Sequence, residues 1–148
     1  MLLVEMNQEN GAAHYFHHGK LACNIDDALA SERRDSALVQ ENLYVVKEAP
    51  NGEKVASVMP QRFKSLMPRL AASDYDYIIF DMPPVNQVSL TPRLARFMDM
   101  VLMVVEAGKT ARGVAQQASA MLAESNPNIG VVLNKSRRYV PRWLHEEF

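Results

Sequence analysis

Five short apolar runs, separated by segments of helical periodicity, set the strongest limit on how this chain can fold. The runs are rich in β-branched or bulky residues, are apolar on both faces, and occupy residues 2–4, 43–46, 77–80, 101–105 and 129–133. Such runs suit strands of a parallel sheet that is covered on both sides. The sequence therefore predicts an α/β fold, a three-layer sandwich with a mostly parallel sheet and right-handed crossovers.

Two segments between these runs have the apolar spacing of helices with one buried stripe. The first stripe comprises Phe63, Leu66, Met67, Leu70 and Ala71. The second comprises Ala111, Val114, Ala115, Ala118 and Met121. Pro68 is predicted to kink or divide the first helix, because proline removes a helical hydrogen bond. Thr91 and Pro92 predict an N-cap and a first helical position, and the polar stretch 47–54 predicts a loop.

Composition limits the class of protein. A chain of 148 residues with 48% hydrophobic residues fits a single globular domain over 1–148. A net charge of −1 gives no sign of the basic surface that nucleic-acid binding needs, so no nucleic-acid partner is predicted. The longest apolar runs are too short to span a bilayer. The single cysteine, Cys23, fits a reducing cytoplasm.

The stretch "YDYIIFDMPPV" at 75–85 suggests a site. Asp81 follows the apolar run directly, and ligands of open parallel sheets collect outside the carboxyl ends of the strands. Pro83 and Pro84 would hold the next loop stiff and extended. A carboxylate fixed in this way suits a hydrated Mg²⁺ beside phosphate oxygens. The alternative is that Asp81 caps a loop or a helix.

A family resemblance extends this interpretation. The segments "DYDYIIFDMPPV", "FMDMVLMVVEAGKTARG" and "NIGVVLNK" resemble the bacterial tyrosine autokinases of exopolysaccharide and capsule export, which are deviant-Walker P-loop ATPases. The resemblance covers nearly the whole chain and implies a P-loop NTPase-like fold, with a short helix at "NIDDALA". It also implies ATP and Mg²⁺ as cofactors, with Asp81 as the Walker B carboxylate and metal ligand.

The resemblance assigns three further residues. "LLVEMN" falls where the family carries a second acidic strand end, typically Asp-x-Asp, and this chain has Glu5 and Asn7 there. Glu5 is thereby implied as a catalytic residue beside Asp81, and Asn7 as a cofactor-binding residue. Asn134 corresponds to an asparagine near the nucleotide base. A strand-end turn residue remains the alternative for Asn134.

The chain also departs from the family pattern. No G-x-x-x-x-G-K-[ST] sequence occurs, so the backbone amides and the lysine of a Walker A loop are missing from it. We expect a family member that lacks its first strand-loop-helix unit, is incomplete at the N-terminus and is not catalytically competent by itself. The strand at 77–80 is then expected to hold buried, unpaired backbone groups, leading to marginal stability, rearranged pairing or a strand supplied by another chain.

Two hypotheses of function remain open. The first is an ATP-dependent protein tyrosine kinase that regulates exopolysaccharide or capsule production. The second is a non-catalytic module of the export machinery that binds a partner. The resemblance implies a membrane chain-length regulator or another subunit of the export complex as that partner, with a homo-oligomer as a further option. It also implies a cytoplasmic location, peripheral at the inner membrane.

Two other segments suggest different chemistry. His14, His17 and His18 would share one face of a helix, with Cys23 nearby, and such a set could bind Zn²⁺. The alternative for these histidines is a solvated surface. The basic and aromatic tail at 135–148 could contact anionic lipid headgroups or an acidic partner. A final helix that packs its apolar residues on the sheet is the alternative for the tail, and we prefer it.

Overall fold

The computed structural model describes residues 1–7, 23–48, 55–85 and 90–136, without the side chains of residues 55–58. The chain divides into two compact units, Met1–Phe97 and Met98–Phe148. Of the strands in the described ranges, four lie in the first unit and two in the second. The single domain predicted over 1–148 stays a prediction.

A four-stranded sheet forms the base of the first unit, in the spatial order β2–β3–β1–β4. In chain order these strands are β1 (Leu2–Glu5), β2 (Leu38–Gln40), β3 (Leu43–Lys47) and β4 (Ile78–Asp81). The central strand β1 pairs in parallel with β3 on one side and with β4 on the other. The short edge strand β2 runs antiparallel to β3. The predicted α/β class is confirmed, with a sheet that is mixed because of β2.

The central strands are apolar because both of their faces are covered. Four of their side chains are completely buried: Leu2, Val4, Val45 and Val46. Phe63 is also completely buried and packs against Phe80 of β4, with the ring centroids 5.3 Å apart. Full burial of a side chain of this size contributes roughly 1.5–3 kcal/mol. These contacts fix the strands on which the candidate site is built.

A short helix, α1 (Ile25–Leu29), follows where the sequence predicted one. Asn24 and Asp27 form a capping box, in which the Asn24 side chain accepts from the Asp27 amide at 2.9 Å. The Asp27 carboxylate in turn accepts from the Asn24 amide at 3.2 Å. These bonds satisfy donors that a helix N-terminus leaves unpaired. A 3₁₀ turn at Arg34–Ala37 then leads into β2.

Helix α2 (Val55–Ala71) carries the first predicted stripe. Its residues Phe63, Leu66 and Leu70 are buried, which confirms the prediction for these three positions. The helix continues through Pro68, so this proline does not divide it, and the alternative of a kink stays a prediction. The Ala72 amide still donates to the Pro68 carbonyl at 3.1 Å. Burial of the apolar stripe on both sides of Pro68 accounts for the continuity, because packing outweighs local helix propensity.

The loop predicted at 47–54 begins later than expected. Lys47 is the last residue of β3, and Glu48 directly after it is buried. The prediction is therefore wrong for Lys47, because strand pairing extends beyond the apolar run itself, whereas Glu48 lies outside the strand as predicted. Residues 49–54 lie outside the described residues.

The second unit contains a parallel pair of strands, β5 (Val101–Glu106) and β6 (Ile129–Asn134), and helix α4 (Arg112–Ala123). The smaller helix α3 (Leu90–Ala95) precedes them in the first unit. Both predicted strands are thus confirmed. Gly130 of β6 lies opposite Leu102, and a Cβ atom there would come within 2.8 Å of Leu102 Cδ2. Leu102 is exposed and the contact involves the end of its side chain, so a larger residue at position 130 would require Leu102 to shift.

The buried stripe predicted for α4 is wrong. Val114 and Met121 are 47% and 40% exposed, whereas Leu122, outside the predicted stripe, is buried. Strand axes in a sheet lie only about 4.8 Å apart, so a two-stranded sheet offers a narrow surface to a helix. The periodicity thus predicted the helix correctly but did not predict which of its side chains are buried.

Strand β4 lies at the edge of its sheet, and β1 is its neighbour among the described strands. Ile79 and the preceding Tyr77 are exposed. The edge position agrees with the expected missing neighbour of this strand, and its side chains are only partly buried. Whether its backbone groups are buried stays a prediction. No helix in the described ranges has the length and apolar character that crossing a membrane requires.

Candidate site at the carboxyl edge of the sheet

Two predicted catalytic residues, Glu5 and Asp81, meet at one edge of the sheet. Glu5 is the last residue of β1 and Asp81 the last residue of β4, and the two are direct partners in the parallel register. The amide of Met6, the residue directly after β1, donates to the Asp81 carbonyl at 2.9 Å. Because both strands run the same way, their carboxyl ends share the edge where ligands of such sheets bind.

Burial distinguishes the two carboxylates. Glu5 is only 2% exposed, whereas Asp81 is half-buried. Glu5 Oε2 is buried and has no hydrogen-bond partner among the residues that the structure describes. A buried carboxylate oxygen without a donor is costly unless a cation or another donor reaches it. The edge can therefore accommodate a hard cation with oxygen ligands.

The loop that follows Asp81 is anchored by Thr91. Its hydroxyl donates to the carbonyl of Pro83 at 2.9 Å, and Thr91 itself is buried. Thr91 lies inside α3, so the prediction that it is the N-cap is wrong. The side chain instead ties α3 to the proline segment, because a buried hydroxyl needs a partner and the Pro83 carbonyl provides one.

The two predicted cofactor-binding asparagines lie in different units. Asn7 is half-buried two residues beyond Glu5, near the same edge. Asn134 ends β6 in the second unit, and its Oδ1 accepts from the Lys135 amide at 2.8 Å. Lys135 has a φ of 55°, which is a left-handed turn conformation. This geometry fits the alternative interpretation of Asn134 as a strand-end turn residue. Its Nδ2 is then the side-chain group left to contact a nucleotide base.

Glu106 ends β5 directly beside Asn134. Its carboxylate accepts from Lys135 Nζ at 2.9 Å and lies 3.4 Å from Lys109 Nζ. The hydrogen bond from Lys135 is the main reason that the pKa of Glu106 lies below its usual range. The Glu106 carboxylate is therefore fully compensated by the two lysines within the unit.

Glu48 is a residue of this edge that the sequence interpretation missed. Its amide donates to the Glu5 carbonyl at 2.9 Å, and its side chain is 4% exposed. Arg62 of α2 forms an ion pair with it at 2.8 Å, yet burial raises the pKa of the Glu48 carboxyl. The sequence did hold a hint of this residue. Glu48 comes directly after β3, just as Asp81 comes directly after the apolar run at 77–80.

The zinc hypothesis remains a prediction for most of its residues. His14, His17 and His18 lie outside the described residues. Cys23 is described, and its buried thiol contacts the Ser36 hydroxyl at 3.2 Å. Within the described ranges, no group of three or more His, Cys, Asp and Glu side chains could hold a metal ion. In the tail, only Lys135 and Ser136 are described.

Comparison with curated proteins gives matches to bacterial tyrosine kinases. The chain is 26% identical over 104 residues to the tyrosine-protein kinase YwqD of Bacillus subtilis, covering 70% of this chain and 44% of the relative. It is 32% identical over 62 residues to the tyrosine-protein kinase CpsD of Streptococcus agalactiae, covering 41% and 27%. The chain thus spans less than half the length of these relatives. No family model matches it.

Solved structures show the same fold. The kinase domain of VpsO superposes with a TM-score of 0.72 at 22% identity, covering 92% of this chain and 70% of that one. The chimerical protein CapA2B2 superposes with a TM-score of 0.73 at 22% identity, covering 93% and 63%. At this level of identity the likeness concerns the fold.

The chain has an α/β fold that it shares with the solved structures of the VpsO kinase domain and the CapA2B2 chimera. The predicted resemblance to the bacterial tyrosine autokinases is confirmed by the sequence matches to tyrosine-protein kinases.

Proposed function

We propose that the carboxyl edge of the first unit's sheet is a Mg²⁺ site that serves a bound nucleotide. Asp81 and Glu5 are the carboxylates of this site. The observation that carries the proposal is their direct pairing in register, together with the buried and unpartnered Oε2 of Glu5. Mg²⁺ commonly takes one or two protein carboxylates and completes its shell with water and phosphate oxygens.

The proposed roles follow from position. Asp81 would hold the ion at the half-exposed mouth of the edge, and Glu5 would face it from the buried side. When bound, Mg²⁺ would neutralise charge on phosphate oxygens. Asn7 would contact the nucleotide near this edge. For Asn134 the proposal is limited to donation from Nδ2, since its Oδ1 already accepts from Lys135.

For the whole protein, the proposed activity is ATP-dependent phosphoryl transfer to tyrosine in the regulation of exopolysaccharide or capsule production. Similarity to YwqD and CpsD supports this proposal. The sequence given has no G-x-x-x-x-G-K-[ST] loop. We therefore propose that these 148 residues do not catalyse the transfer unaided.

A non-catalytic role in partner binding is the second candidate. One face of the β5–β6 pair exposes Leu102, Val104 and Val132, and exposed apolar patches often mark protein contacts. The partner under this proposal is a membrane chain-length regulator or another subunit of an export complex, or a second copy of the chain. The same proposal places the protein in the cytoplasm, peripheral at the inner membrane.

Calorimetric titration with Mg·ATP tests the first candidate. We expect saturable binding that is weakened by about tenfold or more in Asp81→Asn and in Glu5→Gln, because each change removes a charged ligand. Asp76→Asn is the matched control, since Asp76 is exposed and lies before β4. Equal affinity in all four proteins would reject the Mg²⁺ site. No binding to a folded wild-type chain would favour the partner-binding candidate.

A further inference from the structure

An open pocket of about 370 Å³ lies on the first unit, away from the carboxyl edge. Its polar lining residues are Ser31, Arg34, Arg69, Ser73, Asp74 and Tyr75. Tyr75 comes before the first residue of β4, whereas Asp81 is the last residue of that strand, and neither Asp81 nor Glu5 lines the pocket. The pocket is therefore separate from the site of Asp81 and Glu5.

Arg34 is held rigidly in this pocket. The carbon of its guanidinium group lies 4.4 Å from the ring centroids of both Tyr44 and Tyr75. The Tyr75 hydroxyl donates to the Ala28 carbonyl at 2.9 Å, which fixes one of these rings in turn. Cation–π contacts of this kind hold a guanidinium in one plane. A rigid cation loses little conformational entropy when it binds a ligand.

The guanidinium of Arg34 has N–H donors that no described hydrogen bond uses. Its Nη1 donates to both oxygens of Asp74, at 2.6 and 2.7 Å. Its Nε is buried and has no acceptor in the part of the chain that the structure describes. The carboxylate therefore engages one nitrogen, not the paired nitrogens that usually hold two oxygens. The side chain of Asp74 is 73% exposed, so its carboxylate lies at the rim of the pocket.

A second cation lines the same pocket. Arg69 donates to Asp26 and leaves other guanidinium donors that no described hydrogen bond uses. The Ser31 hydroxyl is exposed and likewise takes part in no described hydrogen bond. Each of these arginines already has a carboxylate partner, Arg34 with Asp74 and Arg69 with Asp26, so the positive charges are balanced locally. The remaining N–H donors of the two guanidinium groups are what suits a small oxyanion.

We propose that this pocket, here called the Arg34–Arg69 pocket, binds a small oxyanion of the phosphate or carboxylate class. Arg34 is the preorganised anchor, Arg69 is the second cation, and Ser31 is a neutral donor. In the unbound protein, Asp74 accepts the hydrogen bonds of Arg34 Nη1 and so competes with the ligand for this donor. The pocket would give the protein a second ligand site, distinct from the proposed Mg²⁺ site.

Amide chemical shifts of the full chain, recorded during titration with sodium phosphate and separately with sodium acetate, test this proposal. Sodium chloride at matched ionic strength is the reference. We expect saturable shifts in residues 28–34 and 69–75. Arg69→Gln is expected to weaken binding by about tenfold or more, because a charged donor is lost. Arg33→Gln removes the same charge next to the pocket but not from its lining, and it is expected to bind like the wild type.

A further variant separates ligand binding from a general charge effect. Asp74→Asn removes the competing carboxylate, so the affinity is expected to rise, whereas a purely structural role of the ion pair predicts no gain. Saturation by phosphate only, or by acetate only, assigns the oxyanion class. Absence of saturation with both anions would overturn the proposal, and so would equal weakening in Arg69→Gln and Arg33→Gln. The wild-type spectrum before titration shows that the chain is folded.

Discussion

Glu48 combines nearly complete burial with an incomplete set of partners. Arg62 pairs with one of its oxygens at 2.8 Å, while Oε2 is buried and has no hydrogen-bond partner among the described residues. Burial raises the pKa of the carboxyl, and the Arg62 charge and the Ile25 amide oppose that shift only in part. Desolvation thus outweighs the ion pair, as is common for buried charges.

The sign of this shift leads to a prediction. A carboxyl whose pKa is raised in the folded state stabilises the fold below its unfolded pKa, near 4.5, and loses that contribution as the pH rises through the folded value. Glu48→Gln keeps the shape but removes the titration. The free energy of unfolding of the wild type, relative to Glu48→Gln, should therefore fall as the pH rises from 4.5 toward neutrality.

Urea unfolding of both proteins across this pH range gives the comparison. Glu41→Gln is the control, because Glu41 is exposed and should leave the pH dependence of the wild type unchanged. A difference between wild type and Glu48→Gln that stays constant with pH would show that Glu48 is not perturbed in the folded protein.

At the scale of elements, Thr91 connects α3 to the segment that follows β4. Thr91→Val keeps the side-chain shape but removes the donor to the Pro83 carbonyl, which then loses its partner. We expect a loss of stability of about 1 kcal/mol, typical of one buried hydrogen bond. Urea unfolding measures this loss, and Thr110→Val, at an exposed threonine, is the control. A loss no larger than that of the control would remove Thr91 as an anchor.

The sequence was sufficient to predict the strands that contain continuous apolar runs. Strands such as β1 and β3 were predicted because a strand buried on both faces has no polar positions to obscure it. β5 carries a similar apolar run, although Leu102 and Val104 on one of its faces are exposed. The three-residue strand β2 has no comparable run, since it is held by pairing with β3 and by the turn at Asn42, where φ is 60°. A pairing of this kind depends on tertiary contacts and leaves little trace in local sequence.

The candidate site was predicted only where a residue follows such a run. Asp81 and Glu5 both end strands, and the parallel register makes them direct partners. Glu48 was missed although it follows a strand, because its ion pair is with Arg62, a residue 14 positions further along the chain. The Arg34–Arg69 pocket was missed for a similar reason, since its aromatic and charged residues come from separate segments. Contacts between distant residues cannot be derived from periodicity.

At the scale of the whole molecule, the two units differ in how much of their interior is buried. The first unit has a set of completely buried side chains that includes Leu2, Val45 and Phe63. In the described part of the second unit, Leu122 and Asn126 are the buried side chains, while Val104 and Leu133 on its strands are exposed. Since buried apolar area is the main source of stability, the second unit has the weaker basis for a stable fold.

This difference predicts unequal local opening. Backbone amides in regions with few buried contacts exchange with solvent through low-energy fluctuations, whereas core strands exchange only through larger unfolding events. We expect amides of Val4 and Val46 to exchange at least about tenfold more slowly than those of Val105 and Val132, since all four amides face the neighbouring strand of their ladder. Hydrogen exchange of the intact chain, followed residue by residue by NMR under native conditions, measures the ratio after correction for intrinsic rates. Equal protection in the two pairs would mean that the second unit resists opening as well as the first and that buried apolar area does not set the difference.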